Sequence, residues 1–312
     1  MLSKILSLGA SYFEITSINF PLPDTLTIET ETVGKEYIID PGGSAIYFAR
    51  VSASLGLSPI FIGKRGKDYL GEQLEEMLEE FGITPSYTVS DEVQTNVAIN
   101  YVRPDGKTLM FVSGSANQAL EHHEVESKIL DSLVSVNYLY LGGGFKLLSL
   151  LPMYADVIKK AKESGVKVII DHGRVNTALT PESIATMKDA IARADYYLPS
   201  KDELLAVWEA ESIEHAIKKV REVSAATIVV KDSENGAYGS IGDEIVHCKA
   251  FEVVPKNTVG AGDSFNAGFI RAQIEGMDLY ESLRFGCATA ALKISEGDLP
   301  AYDKVIQICQ TS

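Results

Sequence analysis

Cysteine is scarce. Cys248, Cys287 and Cys309 are the only three in 312 residues. An odd number without metal-ligand spacing argues against a disulfide framework and a zinc site and fits a cytosolic chain. The five histidines build no zinc signature either. His122 and His123 stand together in a polar stretch that reads as a solvated helix start. Long apolar runs are missing. None reaches the about 18 residues that a membrane span needs, and Met1 to Leu8 is too short for a signal peptide before Gly9 and polar residues follow. Basic residues are outnumbered, 28 Lys and Arg against 43 Asp and Glu, for a formal charge of −15. So acidic a surface repels phosphate backbones and anionic membranes, so neither is an expected partner. A bound phosphate group then needs local help from backbone amides, a metal ion or a few basic side chains. Repeats, low-complexity segments and linkers rich in Pro, Gly or Ser are absent, and the chain reads as a single domain over 1–312. Two nucleotide motifs are absent as well. Gly9-Ala10-Ser11 lacks the later glycines of a dinucleotide-binding turn, and no Walker A sequence occurs.

What is present is alternation. Ile5 to Leu8, Pro59 to Ile62, Tyr138 to Leu141, Val166 to Ile170, Tyr196 to Leu198 and Thr227 to Val230 are short apolar runs suited to strands covered on both faces. Between them, Tyr69 to Phe81 carries Leu70, Leu74, Met77, Leu78 and Phe81 at helical spacing. Leu150 to Ser164, Pro181 to Ala194 and Glu214 to Ser224 read similarly. The pattern predicts a parallel sheet between two layers of helices. Pro21 to Ile39 and Thr95 to Val112 break it with β-rich runs, the second folded about a Pro-Asp-Gly turn. They predict either a small separate sheet acting as a lid or an extension of the main sheet's edge.

The most informative stretch is Asn257-Thr258-Val259-Gly260-Ala261-Gly262-Asp263-Ser264-Phe265, followed by helical spacing of Phe265, Phe269, Ala272 and Ile274. The first N–H groups of a helix lack internal partners, and small residues at 260 to 262 let a phosphate approach them. Asp263 beside such an anion hole can take a proton from an attacking hydroxyl. The helix start favours its ionised form, which predicts a pKa of about 4 or below. The same residues also fit a tight glycine turn with an ordinary helix-start Asp.

This stretch resembles the C-terminal signature of the ribokinase family of carbohydrate kinases, also called the PfkB family: Asp-Thr-x-Gly-Ala-Gly-Asp-x-Phe. Similarity extends over nearly the whole chain. Asp40-Pro41-Gly42-Gly43-Ser44 resembles the N-terminal signature, Gly63 to Asp68 the family's Gly-x-x-Gly-x-Asp, Gly114 to Leu120 its Gly-Ala-Asn segment, Ser200 to Glu203 its Asn-x-x-Glu motif, and Val230 to Gly239 its nucleotide loop. The resemblance implies a ribokinase-like three-layer α/β/α sandwich with a mostly parallel central sheet and a small β-sheet lid, with lid strands from about 21–39 and 95–112. It implies Asp263 as catalytic base and Gly260, Ala261 and Gly262 as anion hole. Lys231, Ser233, Gly236 and Thr258 fall on the nucleotide side, with Gly260 and Gly262. Glu14, Gly42, Gly43 and Tyr47 fall with Asp263 on the substrate side, and Glu203 helps to place Mg²⁺ through water. ATP and Mg²⁺ are the implied co-substrate and metal, and some relatives hold a monovalent cation at this loop. Asp171 and Arg174 fall near the Asp-x-Asn-x-Arg segment, one residue short of its spacing. An exposed lid sheet invites pairing into a homodimer.

Four positions depart from the pattern. Glu14 stands for Asp, Tyr47 for Asn, Ser200 for Asn, and Asn257 for Asp. The first two change the length and donor pattern of the groups expected at a sugar's hydroxyls. The fourth weakens the monovalent-cation site. The sequence therefore predicts an ATP-dependent kinase of a sugar or sugar-like hydroxyl. Two alternatives stand beside it. Tyr47 and Phe48 either stack a nucleobase in a nucleoside kinase or pack in the core. The substitutions at 47 and 200 motivate a kinase-like binding protein without catalysis, against which the retained Gly-Ala-Gly-Asp argues.

Overall fold

The computed structural model describes residues 3–22, 33–104, 108–175 and 179–311. In chain order its elements begin with β1 (Lys4–Leu8), β2 (Tyr12–Ile18), β3 (Glu36–Gly42), α1 (Ser44–Ser54), β4 (Ser58–Gly66), α2 (Tyr69–Glu80) and β5 (Thr84–Ser90). Next come β6 (Val97–Val102), β7 (Thr108–Ser113), α3 (His122–Leu133), β8 (Tyr138–Gly142), α4 (Tyr154–Glu163), β9 (Lys167–Asp171), α5 (Pro181–Arg193) and β10 (Tyr196–Tyr197). The chain continues through α6 (Lys201–Trp208), α7 (Ile213–Arg221), β11 (Thr227–Lys231), β12 (Ala237–Ile241), β13 (Glu244–Cys248), α8 (Ala261–Ile274), α9 (Leu279–Glu296) and α10 (Tyr302–Gln310).

The six apolar runs all become strands of one nine-stranded sheet, ordered β13-β12-β11-β10-β9-β8-β1-β4-β5. Pairing is parallel from β11 through to β5 and antiparallel only between β11 and β12 and between β12 and β13. Its two faces carry separate cores. Leu6, Leu139 and Ile170 pack with Ile129, Ile158 and Ile191 of α3, α4 and α5. Ile5, Tyr140 and Ile169 pack with Phe48, Phe269 and Phe285 of α1, α8 and α9. Adjacent residues of one strand thus serve opposite layers, as the period of two requires. The helix expected from Leu150 opens instead as a 3₁₀ segment, Leu148–Met153. Pro152 inside it cannot donate the hydrogen bond an α-helix would use there.

A second, four-stranded sheet has the order β3-β2-β6-β7. It is separate from the edge strand β5, which removes the edge-extension reading. Within it β2 and β6 run parallel, and the expected hairpin is the antiparallel β6–β7 pair. Of the lid strand expected at 21–39, the described residues show β3, which runs from Glu36 on to Gly42, and the sheet also includes β2, which the sequence did not single out. Residues 23–32 and the Asp105-Gly106 turn lie outside the described residues.

The sheet is tied to the main body at its roots. Asn117 accepts from the Ser11 amide (3.0 Å) and donates to the Ser11 carbonyl (2.9 Å), while its own amide donates to Asn96 Oδ1 (2.7 Å). Asp68 caps α2 by accepting from the Gly71 amide (2.8 Å) and also accepts from the Thr95 amide and hydroxyl (2.8 Å each).

Candidate functional site

The turn before α8 is docked on α9. The amides of Lys256 and Asn257 donate to the Ile294 carbonyl (2.7 and 3.3 Å), and Asn257 Oδ1 accepts from the Val259 amide (3.0 Å). Gly260 then caps α8 at φ 76, a left-handed conformation that glycine adopts without strain. Ala261 spends its amide on the Thr258 carbonyl (3.2 Å), whereas the amides of Gly260, Gly262 and Asp263 have no partner among the described residues. Of the expected 260–262 set, 260 and 262 are therefore free and Asp263 adds a third donor, and they open at the positive end of a 14-residue helix. That is an anion-binding arrangement.

Asp263 projects from this first turn and accepts a very short hydrogen bond from the Ser44 hydroxyl, at the start of α1. The low pKa expected at a helix start does not hold. Burial pushes this carboxyl up to about 7, reinforced by the negative charge of Asp171, and these outweigh the Ser44 hydrogen bond and the positive charge of Lys231. Desolvation outweighs the helix dipole at this partly buried carboxyl, which lies against Ser44 of α1.

A cavity of about 680 Å³ opens on one side of the turn. Lys231, Ser233, Gly236, Thr258, Ala261 and Gly262 all line it, and Phe265, Cys287, Ala290, Ala291 and Ile294 give it an apolar wall. Lys231 is not a solvated strand end. Its side chain is 11% exposed, and its ammonium donates to Asp171 Oδ2 (2.7 Å), the Leu198 carbonyl (2.7 Å) and Asn266 Oδ1 (3.2 Å). An added Cβ on Gly262 would lie 3.7 Å from this ammonium. Glu203 sits at the start of α6, where one of its oxygens accepts from the Ser200 amide (2.8 Å) in a capping box. Ser200 is thus the N-cap of α6.

The other side of Asp263 is built differently. Glu14 on β2 is buried, at 2% exposure. It accepts from the Tyr47 hydroxyl (3.0 Å) and closely from Asn100 Nδ2. Burial raises its pKa despite those two donors. The close approach that needs glycine at 42 is made by this carboxylate, since a Cβ there would meet Glu14 Oε2 at 1.7 Å. Gly43 has φ 113, and a Cβ on it would meet the Ala10 carbonyl at 2.1 Å. Phe48 stacks on Tyr140 in the core, with ring centres 3.8 Å apart, so it offers no face to a ligand. Tyr47 is 8% exposed. Arg174 lies exposed, without a partner among the described residues. Its neighbour Gly173 abuts Gly143, which abuts Ser44.

Two contributors, Ser44 and Asn266, were given no role in the sequence reading, and a third, Asp171, entered it only through the Asp-x-Asn-x-Arg segment. Ser44 follows the glycine pair and owes its place to the packing of α1 on α8. Asn266, one turn after Asp263, donates to Asp171 Oδ2 (2.7 Å) and Tyr140 (3.2 Å). Asp171, 4% exposed, joins Lys231 and Asn266 to the site. The i, i+3 spacing of Asp263 and Asn266 was the one available signal. The rest depends on contacts between distant segments.

A family model described as pfkB family carbohydrate kinase matches residues 15–300. The 5-dehydro-2-deoxygluconokinase of Lacticaseibacillus casei is 27% identical over 307 residues, covering 94% of this chain and 90% of that protein. The ribokinase of Bacillus subtilis (strain 168) is 24% identical over 284 residues, covering 89% and 91%. Among solved structures, Arabidopsis thaliana ribokinase complexed with ribose and ATP superposes with a TM-score of 0.83 at 22% identity, covering 100% of both chains. Phosphofructokinase-2 from Escherichia coli superposes with a TM-score of 0.80 at 21% identity, covering 100% of this chain and 99% of that one.

Proposed function

Because the chain belongs to the pfkB family of carbohydrate kinases, and is thereby a phosphotransferase with a hydroxyl acceptor, we propose that it moves the γ-phosphoryl group of ATP onto a hydroxyl of a sugar or sugar acid. Asp263 takes the proton of that hydroxyl. The reading is carried by Asp263 standing in the same helix turn as the free amides of Gly262 and Asp263, with the cavity alongside. The amides and the α8 dipole hold the transferring phosphoryl charge, and the carboxylate, with a pKa of about 7, is poised to accept a proton near neutrality. The apolar wall of the cavity suits a nucleobase, and Lys231 with the loop of Ser233 and Gly236 suits its phosphates.

Magnesium fits this donor set. Asp171, Glu203 and Asp263 bear on one another's charge with Lys231 as the buried cation between them, which leaves negative charge uncompensated. Among the described residues no three His, Cys, Asp or Glu side chains are grouped as direct ligands. Glu203 would therefore hold the metal through water, and the metal when bound would offset the negative charge of the phosphates. For the acceptor, the relatives named 5-dehydro-2-deoxygluconokinase support an acidic sugar, and Arg174, an exposed cation three residues after Asp171, is a candidate partner for its carboxylate. The burial of Phe48 removes half of the aromatic pair that motivated a nucleoside acceptor. The same reading extends to a homodimer formed through the small sheet.

Asp263→Asn tests the assignment. Turnover should fall by about a thousandfold while ATP affinity, measured by titration calorimetry, stays within threefold of wild type, roughly the effect of one weak contact. An Asn variant with wild-type turnover removes Asp263 as the base.

A further inference from the structure

Tyr47 touches two parts of the molecule, the turn before α8 and the small sheet. It lies one turn into α1, with its amide bonded to the Gly43 carbonyl (2.8 Å). Its ring occupies the space beside Gly260, where an added Cβ would meet Cδ1 at 2.8 Å and Cγ at 3.1 Å. Its hydroxyl ends on Glu14 Oε2 (3.0 Å) on β2 of the small sheet. Both ends are fixed. Glu14 is clamped from the far side by Asn100 of β6, which also donates to Thr16 (3.1 Å), and its Oε2 rests on Gly42. Arg50 lies 5.5 Å from the Tyr47 ring and pairs with Asp40 of β3 (2.8 Å), the residue opposite Glu14 in the sheet register. Two side chains of α1 thus hold the small sheet, and of these Tyr47 also seats the phosphate turn. The phenol stays protonated at every working pH, because burial and the adjacent Glu14 raise its pKa. It therefore remains a donor.

We propose that Tyr47 is a positioning residue that couples the small sheet to the phosphate turn. The rigid ring holds Gly260 in its left-handed conformation only while Glu14 holds the hydroxyl. The free amides of Gly262 and Asp263 are thus presented when the sheet stands in place over the acceptor. A phenol suits this role where a shorter amide does not, because it spans from α1 to β2 and touches α8 on the way. The proposal rests on the phosphotransfer reading for its consequence, but not for its geometry.

Hydrogen exchange and kinetics test it together. In the free protein, Tyr47→Phe removes only the hydroxyl. It should speed exchange of the Ala261 and Ser264 amides, which bond within the turn, by about tenfold. Glu14→Ala should do the same from the other sheet, and the double variant should add nothing further, because both cut one link. Glu14→Gln, which keeps an oxygen for the phenol, should restore wild-type exchange. Unchanged exchange in Tyr47→Phe, or effects that multiply in the double variant, would overturn the coupling. Should Tyr47→Phe not fold, Glu14→Ala against Glu14→Gln gives the same answer.

The kinetic arm uses whichever of D-ribose, D-fructose and 5-dehydro-2-deoxy-D-gluconate the wild type phosphorylates. Tyr47→Phe should raise KM for ATP about tenfold and leave KM for the acceptor in place. The reverse split would make Tyr47 an acceptor contact and refute its positioning role. Absence of turnover in the wild type with every acceptor would fault the phosphotransfer reading instead, and the exchange result would still decide the coupling.

Discussion

At the scale of single residues, the proposed role of Asp263 as base predicts the pH dependence. Only the ionised carboxylate accepts a proton, so kcat/KM for the acceptor should fall about tenfold per unit below pH 7. The charge of Asp171 raises this pKa. Asp171→Asn removes that charge and frees Lys231, both of which favour ionisation, so the acid limb should move to lower pH although the plateau drops. A pH–rate profile from about pH 5 to 9 shows it; a midpoint that stays or rises excludes Asp171 as the neighbour that matters. The same shift bears on stability. A folded pKa above the unfolded value gives stability that is complete at low pH and is lost as pH rises through 7. Asp263→Asn should therefore melt higher than wild type at pH 8. The position of the proposed base in the first turn of α8 was legible in the run from Thr258 to Asp263. Its pKa was not, because helix position is local while desolvation comes from α1, which is remote in sequence.

At the scale of elements, strands buried on both faces declared themselves as apolar runs, and α2, α5 and α7 by their period. β2, β12 and β13 did not. Glu14, Thr16 and Ser17 break up β2's apolar pattern, and the pairing of β12 and β13 at an exposed sheet edge leaves residues such as Glu244 and His247 in water. Asp68 shows what such patterns cannot convey. It reads as the last residue of a motif, yet it holds Thr95 by two hydrogen bonds at the root of β6. Burial would raise its pKa, but the donors from Thr95 and Gly71 prevail and lower it. Its stabilisation is thus present above the unfolded value of about 4 and fades as pH falls through the folded one. Asp68→Ala should cost about 2 kcal/mol or more, from a lost cap and stranded donors. Urea unfolding measures that cost. A loosened β6 should also raise KM for the acceptor, and a variant with unchanged KM would show that this root does not position the sheet.

At the scale of the whole molecule, charge and apolar exposure oppose one another. Tyr37 on β3 is 69% exposed, and Met110 and Phe111 on β7 are 52% and 51% exposed. These are the outer strands of the small sheet, and burying them against a second copy would be favourable. Each copy carries −15, so approach is resisted at low salt and eased once the screening length falls below about 10 Å, near 0.1 M. Sedimentation velocity should show a dimer whose population rises between about 0.02 and 0.3 M salt. A monomer throughout, or a dimer untouched by Phe111→Glu, would place the contact elsewhere. The three-layer order was legible because alternation of strand and helix is a property of the whole chain. The meeting of Glu14, Tyr47 and Gly260 was not, since it joins three segments that no local pattern connects.

The wall that α9 gives the cavity is made of Cys287, Ala290, Ala291 and Ile294, and all but the last are small. With the nucleobase in this cavity as proposed, trimming Ile294 to alanine should carve a notch that natural ATP leaves empty and that a purine bearing an extra alkyl group fills. The helix thereby offers a chemical-genetic handle: a variant that accepts a bulky nucleotide analogue its relatives refuse, so that its products can be tagged apart from theirs in a cell extract.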